Sequence, residues 1–319
     1  MNRRKFLVGT AAGAAGLAGL SRTGWAQGRQ TVPGPPAAGR GRGPADVPAA
    51  KLARVSLMTL NFNSYRIPNN GTPTNPDQTM TVFDLPKMYV DMYGVHNIEF
   101  QIDDIRKSET DPNFIKEMKA KLDENKMTMT QVNMEFGMGQ FISNPDAAMR
   151  KAALDHLKQW IDIANQYGCK RLMLNQNQAM LNKDTRAGAV ETMKAMADAA
   201  RPSGIKISVE TRGVVGATAA ELGMKPWEFM IGIIKDAGAN SNVDIGNVAA
   251  ANQQELHDCI KAWFPYSSGN MHIKSSPNWD IGTAIRFTEG LGYKGLYSIE
   301  VGRHEGIRIV YNTILANIA

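Results

Sequence analysis

Four apolar runs in the second half of the chain each carry an acid or an imidazole: KISVET with Glu210, SNVDIG with Asp244, GNMHIK with His272 and GLYSIEV with Glu300. If each run is a strand, residues two apart share one face. Ser208 and Glu210 then oppose Ile207 and Val209; Asn242 and Asp244 oppose Val243 and Ile245. Asn270, His272 and Lys274 oppose Met271 and Ile273, and Ser298 and Glu300 oppose Tyr297, Ile299 and Val301. Three carboxylates gathered in a partly buried place repel one another, and at least one protonates unless a cation joins them. Three carboxylate oxygens and one imidazole nitrogen suit Mn²⁺, Mg²⁺, Co²⁺ or Zn²⁺ and leave positions for water or substrate oxygens. With no thiolate in the set, Mn²⁺ is the expected ion. The reading is one divalent metal held by Glu210, Asp244, His272 and Glu300.

Such a set needs elements that bring the four runs to one place. From residue 55 onward short apolar runs alternate with longer amphipathic stretches. Strands are expected at about 55–62, 97–103, 127–134, 171–176, 206–211, 241–246, 269–274 and 295–301, and helices at about 84–93, 113–125, 145–167, 185–201, 226–237, 252–263, 281–291 and 305–317. Eight strand–helix units in about 265 residues predict an α/β fold, a single (β/α)8 TIM barrel, with the site at the C-terminal ends of the strands. A doubly wound open sheet is the competitor, but no GxGxxG follows the first strand.

The same alternation marks Glu99 with Gln101, Gln131 with Asn133, and Asn175 with Asn177 as lining for a hydroxyl-binding cavity, since an amide both donates and accepts. Their competing reading is a set of solvated strand ends or loop caps. Arg303 and His304 follow the last strand and are candidates to face substrate. Lys274 either contacts a substrate oxygen or pairs with a ligating carboxylate. His156 and His257 fall in helical stretches, and His96 precedes the second strand at the opposite end.

Net charge is +6, yet nine of the 36 Lys and Arg and only one of the 30 acids fall in residues 1–54. Residues 55–319 therefore carry 27 bases against 29 acids, which gives no reason to expect nucleic acid as a partner. Residues 1–27 read as a secretory signal: a basic start, an Ala/Gly/Leu-rich middle and small residues around Trp25-Ala26. Arg3-Arg4 before Lys5-Phe6-Leu7 is of twin-arginine type, which implies periplasmic export. The run Leu7–Leu20 is short for a membrane span. Residues 28–50, rich in Pro, Gly and Ala, read as a linker, and the barrel as 51–319. Cys169 and Cys259 make no CxxC motif. Barrels of this size often associate, so a homo-oligomer is an open expectation.

The stretches VET (Val209 to Thr211), DIGN (Asp244 to Asn247), HIK (His272 to Lys274) and GYKGLYSIE (Gly292 to Glu300) together resemble the xylose isomerase-like TIM barrels, also called sugar phosphate isomerase/epimerases. The resemblance implies that Glu210, Asp244, His272 and Glu300, on strands five to eight, bind one divalent metal. It also implies an acid/base pair, Glu210 and Glu300, as in the ketose epimerases. A metal chelated by a carbonyl and a neighbouring hydroxyl acidifies the adjacent C–H. One glutamate then removes the proton and the other returns one. Return to the same carbon is epimerisation and return to the next is isomerisation, whereas loss of a leaving group is the lyase outcome expected on 3-keto-glycosides. Epimerases of this type commonly carry His, Arg and Glu where this chain has Asn247, Asn278 and Gly216. Asn247 still hydrogen-bonds a hydroxyl but is no acid or base. The competing classes are a non-catalytic sugar-binding barrel, an endonuclease IV-like barrel, which needs more histidines than five, and a two-carboxylate glycosidase, which leaves Asp244 and His272 unused.

Overall fold

The computed structural model of the chain describes residues 47–68, 71–137, 140–174, 181–210 and 217–319. Eight parallel strands close in sequence order into a barrel: β1 Val55–Met58, β2 Asn97–Gln101, β3 Thr128–Met134, β4 Arg171–Leu174, β5 Lys206–Glu210, β6 Asn240–Asp244, β7 Ser267–Ile273 and β8 Leu296–Ile299. The helices that follow them are α1 Leu85–Tyr93, α2 Pro112–Glu124, α3 Ala147–Tyr167, α4 Arg186–Ala200, α5 Pro226–Ala237, α6 Gln253–Trp263, α7 Ile281–Gly290 and α8 Ile307–Asn317. The expected (β/α)8 barrel is therefore the observed fold.

Local chemistry starts and stops these elements. Asp111, Asp146, Asn252 and Asp280 accept a backbone N–H in the first turn of α2, α3, α6 and α7, filling a donor that a helix start leaves unpaired. The outward-facing strand residues Leu57, Ile98, Val132, Leu172, Ile207, Val243, Met271 and Ile299 are buried between sheet and helices. Inside the barrel most buried residues are polar, namely Ser56, Glu99, Thr130, Gln131, Asn133, Ser208, Glu210, Asn242, Asp244, Asn270, His272 and Ser298, joined by Met58 and Met173.

Several boundaries differ from the sequence expectation. Residues Thr59–Phe62 continue β1 as a 3-10 turn rather than as strand. β7 starts two residues earlier than expected, at Ser267. Glu300 lies one residue beyond β8, although its N–H still bonds to the carbonyl of Ile273. A short helix, Ala49–Leu52, precedes β1. Residues 1–46, and with them the expected signal and most of the linker, lie outside the described residues.

Two irregularities shape the interior. Opposite Ile98 and Glu99, β3 carries one extra residue, Thr130. Thr130 and Gln131 both reach inward, Thr130 Oγ1 to Ser56 Oγ at 3.0 Å and Gln131 Nε2 to Glu99 Oε1 at 3.0 Å, as a bulge permits. In β7 the register shifts around Gly269, whose φ is +86° and whose missing side chain faces the Arg171 guanidinium. Arg171 donates to the carbonyls of Ser268 (3.0 Å) and Thr130 (3.2 Å), tying strands together at the N-terminal end of the barrel. Closure of β1 on β8 is reinforced by Arg54, which donates twice to Glu289 at 2.8 and 2.7 Å, while Tyr297 donates to the same carboxylate at 2.7 Å. Among the described residues no helix is long and apolar enough to cross a membrane. Both cysteines are buried and free.

Candidate metal centre

The register places the four expected ligands on a rising path. Glu210 pairs in register with Asn242, two residues below Asp244, while Asp244, His272 and Ser298 share a level and Glu300 stands two residues above Ser298. This stagger is the tilt of barrel strands, and it gathers the side chains at the C-terminal mouth. One atom each of Glu210, Asp244, His272 and Glu300 all lie within 4.8 Å of one another.

Each member is held by neighbours. The backbone N–H groups of Gly246 and Asn247 donate to Asp244 Oδ1 at 2.8 and 3.2 Å. Asn247 Nδ2 donates to Glu210 Oε1 at 2.6 Å. Lys274 Nζ lies 2.8 Å from Asp244 Oδ2 and 3.0 Å from Glu300 Oε2. Its stem crosses Gly246, where a Cβ would stand 2.0 Å from Lys274 Cγ. His272 Nδ1 is 3.0 Å from Glu300 Oε2, and its Nε2 is 2.6 Å from Glu99 Oε1.

Burial and crowding set the charges. Burial, with Glu300 and Glu210 beside it, pushes Asp244 well above the usual carboxylate range, and Lys274 only partly opposes this. Burial also acts against the charged form of Glu300, but His272 and Lys274 outweigh it and hold Glu300 low. For His272, burial disfavours the imidazolium, yet Glu99 and Glu300 raise its pKa well above normal. For Glu99 the imidazole and hydrogen bonds from Ser298 and Asn270 overcome burial and bring it to about 2. Were all of Glu99, Glu210, Asp244 and Glu300 ionised, they would exceed the cations of Lys274 and a protonated His272 by two charges, and the raised Asp244 reflects that crowding. The donor set and this surplus fit one divalent ion bound by Glu210, Asp244, His272 and Glu300.

The other expected site residues differ in burial and setting. Glu99, expected to line a hydroxyl-binding cavity, is fully buried beneath His272 with both oxygens accepting N–H groups, so it backs the site instead of facing its mouth. Asn133 is also fully buried, its Oδ1 accepting from Gln131 at 3.2 Å. Gln101 ends β2 half-buried, its N–H bonded to Thr59 Oγ1. Arg303 is exposed at the start of the turn before α8. Asn175 lies outside the described residues. Asn61 escaped sequence reasoning: it donates to the Ile299 carbonyl at 2.7 Å and accepts from Val301 N–H at 2.8 Å, bracketing Glu300. An Asn shortly after the first strand is too common a feature to have marked it.

Residues 89–308 match the family model described as xylose isomerase-like TIM barrel. No curated protein matches the chain. Among solved structures, a xylose isomerase-like TIM barrel protein from Mycobacterium smegmatis, in complex with magnesium, is 17% identical with a TM-score of 0.61, covering 85% of this chain and 99% of that one. The 3-keto-D-glucoside 4-epimerase of E. coli is 12% identical at a TM-score of 0.58, covering 82% and 97%. A probable 3-DHS dehydratase from Bacillus anthracis is 11% identical, again at 0.58, covering 82% and 97%. At these identities the likeness is one of fold.

Proposed function

The chain belongs to the xylose isomerase-like TIM barrel family, and on that premise we propose that it is an exported, divalent-metal-dependent sugar isomerase or epimerase. The observation that carries the reading is the convergence of Glu210, Asp244, His272 and Glu300, from four consecutive strand ends, to within 4.8 Å. A divalent ion held there, for which we favour Mn²⁺ over Mg²⁺, Co²⁺ or Zn²⁺, supplies the Lewis acid that makes a C–H beside a carbonyl acidic.

The protein's own groups do the rest. Lys274, 3.0 Å from Glu300 Oε2, would with the bound cation keep Glu300 ionised, so it begins as the base that takes the proton. Glu210, oriented by the Asn247 amide at 2.6 Å, is the partner that returns one. Asn247 also presents an uncharged hydrogen-bonding edge for a substrate hydroxyl. Gln101, Asn133, Asn175 and Arg303 remain candidates for hydroxyl contacts, Asn133 only through a neighbour because it is buried. A small carbohydrate is the substrate class. The leader with Arg3 and Arg4 supports a non-phosphorylated sugar met outside the cytoplasm. Loss of a leaving group after the same proton removal gives the lyase alternative on 3-keto-glycosides, and a barrel that binds sugar without turnover is the remaining one.

The test is elemental analysis of the purified protein, followed by solvent deuterium uptake at carbon with keto-sugars and 3-keto-glycosides. One metal per chain, lost from folded H272A and E300Q, together with uptake that falls about 10²–10⁴-fold in E300Q, is expected. No metal as isolated and none after Mn²⁺ or Zn²⁺ addition would overturn the reading in favour of the binding barrel.

A further inference from the structure

Glu99 belongs to no part of that mechanism, yet it is a fully buried carboxylate in the middle of the barrel. The side-chain groups that meet it are donors. Oε1 meets His272 Nε2 at 2.6 Å and Gln131 Nε2 at 3.0 Å, and Oε2 meets Asn270 Nδ2 at 2.9 Å. Asn242 Oδ1 fixes the amides in that sense by accepting from both Gln131 Nε2 and Asn270 Nδ2, each at 3.3 Å. A carboxylate so surrounded can only accept, so the ring nitrogen facing it must carry a proton. The other nitrogen, Nδ1, faces Glu300 and the remaining ligands.

We propose that Glu99 is a positioning residue that fixes His272 with Nε2 protonated, leaving the Nδ1 lone pair as the nitrogen available to a metal; the metal half of this statement rests on the proposed function. The device is a carboxylate behind a ligating imidazole, which sets ring orientation and ligand basicity together. A glutamine replaces it only in part. Its carbonyl can satisfy only one side, so its NH₂ must face either Asn270 Nδ2 or the His272 and Gln131 donors. If it faces His272, the ring's proton moves to Nδ1 and the ligand lone pair is lost.

The experiment compares wild type, E99Q and E99D as full-length proteins, checked for folding by near-ultraviolet circular dichroism, with Mn²⁺ and Zn²⁺ titrated by calorimetry and histidine ¹⁵N shifts read by NMR. With five histidines in the chain, H272A assigns the resonance. Expected are a wild-type His272 protonated on Nε2 both with Zn²⁺ and as the neutral metal-free ring, metal affinity weakened about 10–100-fold in E99Q, and partial recovery in E99D. Wild-type affinity in folded E99Q would overturn the proposal. Should wild type bind no metal, the proposed function fails and the tautomer alone decides: an Nδ1–H ring appearing in E99Q supports Glu99, and an unchanged ring refutes it. If E99Q does not fold, E99D decides in the same way, since its shorter carboxylate should weaken affinity; wild-type affinity with an Nδ1–H ring would overturn the idea.

Discussion

Asn61 touches the peptides on both sides of Glu300, accepting from Val301 N–H and donating to the Ile299 carbonyl. N61A leaves those buried groups without partners, so a loss of about 1–3 kcal/mol in urea unfolding is expected, with metal affinity reduced because Glu300 is no longer held. Equal affinity in N61A would show that β8 places Glu300 unaided. Lys274 bridges Asp244 and Glu300 across Gly246. K274M removes a positive charge from beside two candidate ligands, so divalent cations should bind about tenfold tighter or more, given the strength of Coulomb repulsion near a protein surface. The metal-free protein should be less stable because Asp244 and Glu300 lose their counter-charge. G246A, whose Cβ collides with the lysine stem, should shift affinity in the same direction, and calorimetric titration checks both. Glu210, Asp244, His272 and Glu300 were legible as one group because strand parity is a local rule. Asn61 and Glu99 were not, because their partners stand 238 and 173 residues away and no local pattern joins them.

Elements were read well in number and less well at their ends. The apolar run VSLMTLNF suggested eight residues of strand, but the chain turns at Thr59 into a 3-10 segment, and this turn brings Asn61 to β8. The bulges at Thr130 and around Gly269 were also invisible, since each depends on what lies across the barrel. Gly269 has a φ of +86° and Arg171 Nη2 3.2 Å from the place of a Cβ. G269A should therefore cost about 1–3 kcal/mol from backbone conformation alone, measured by urea unfolding. The Arg54–Glu289 latch carries a pH signature. Burial works against the Glu289 carboxylate, but hydrogen bonds from Arg54 and Tyr297 leave its pKa lowered in the folded state. That stabilisation is full above the unfolded carboxylate pKa, about 4.3, and is lost as pH falls through the lower folded value. E289Q should be less stable near neutrality and should lose less stability than wild type between those two values. Parallel acid-unfolding curves would refute the latch as a source of acid sensitivity.

At the scale of the whole molecule, the contacts that close the barrel begin at Lys51, which donates to the carbonyls of Leu315 and Ile318 at the end of α8, and continue at Arg54. Removal of the chain through Arg54 should accordingly lower the thermal midpoint by several degrees relative to protein that starts at residue 47, as read by differential scanning calorimetry. The sequence by itself determined the repeat of eight strand–helix units, hence the barrel, and the four residue types that converge at its mouth. Both follow from short periodicities that hydrophobic burial enforces along the chain. Only the tertiary structure decided which polar interior residues face the site and which support it from behind. Glu99 lies in the middle of β2 and Glu300 one residue past β8, each a lone carboxylate in an apolar run, and composition alone does not assign their roles. Strand tilt and register put one beneath His272 and the other beside it, and that difference exists only once the barrel has closed.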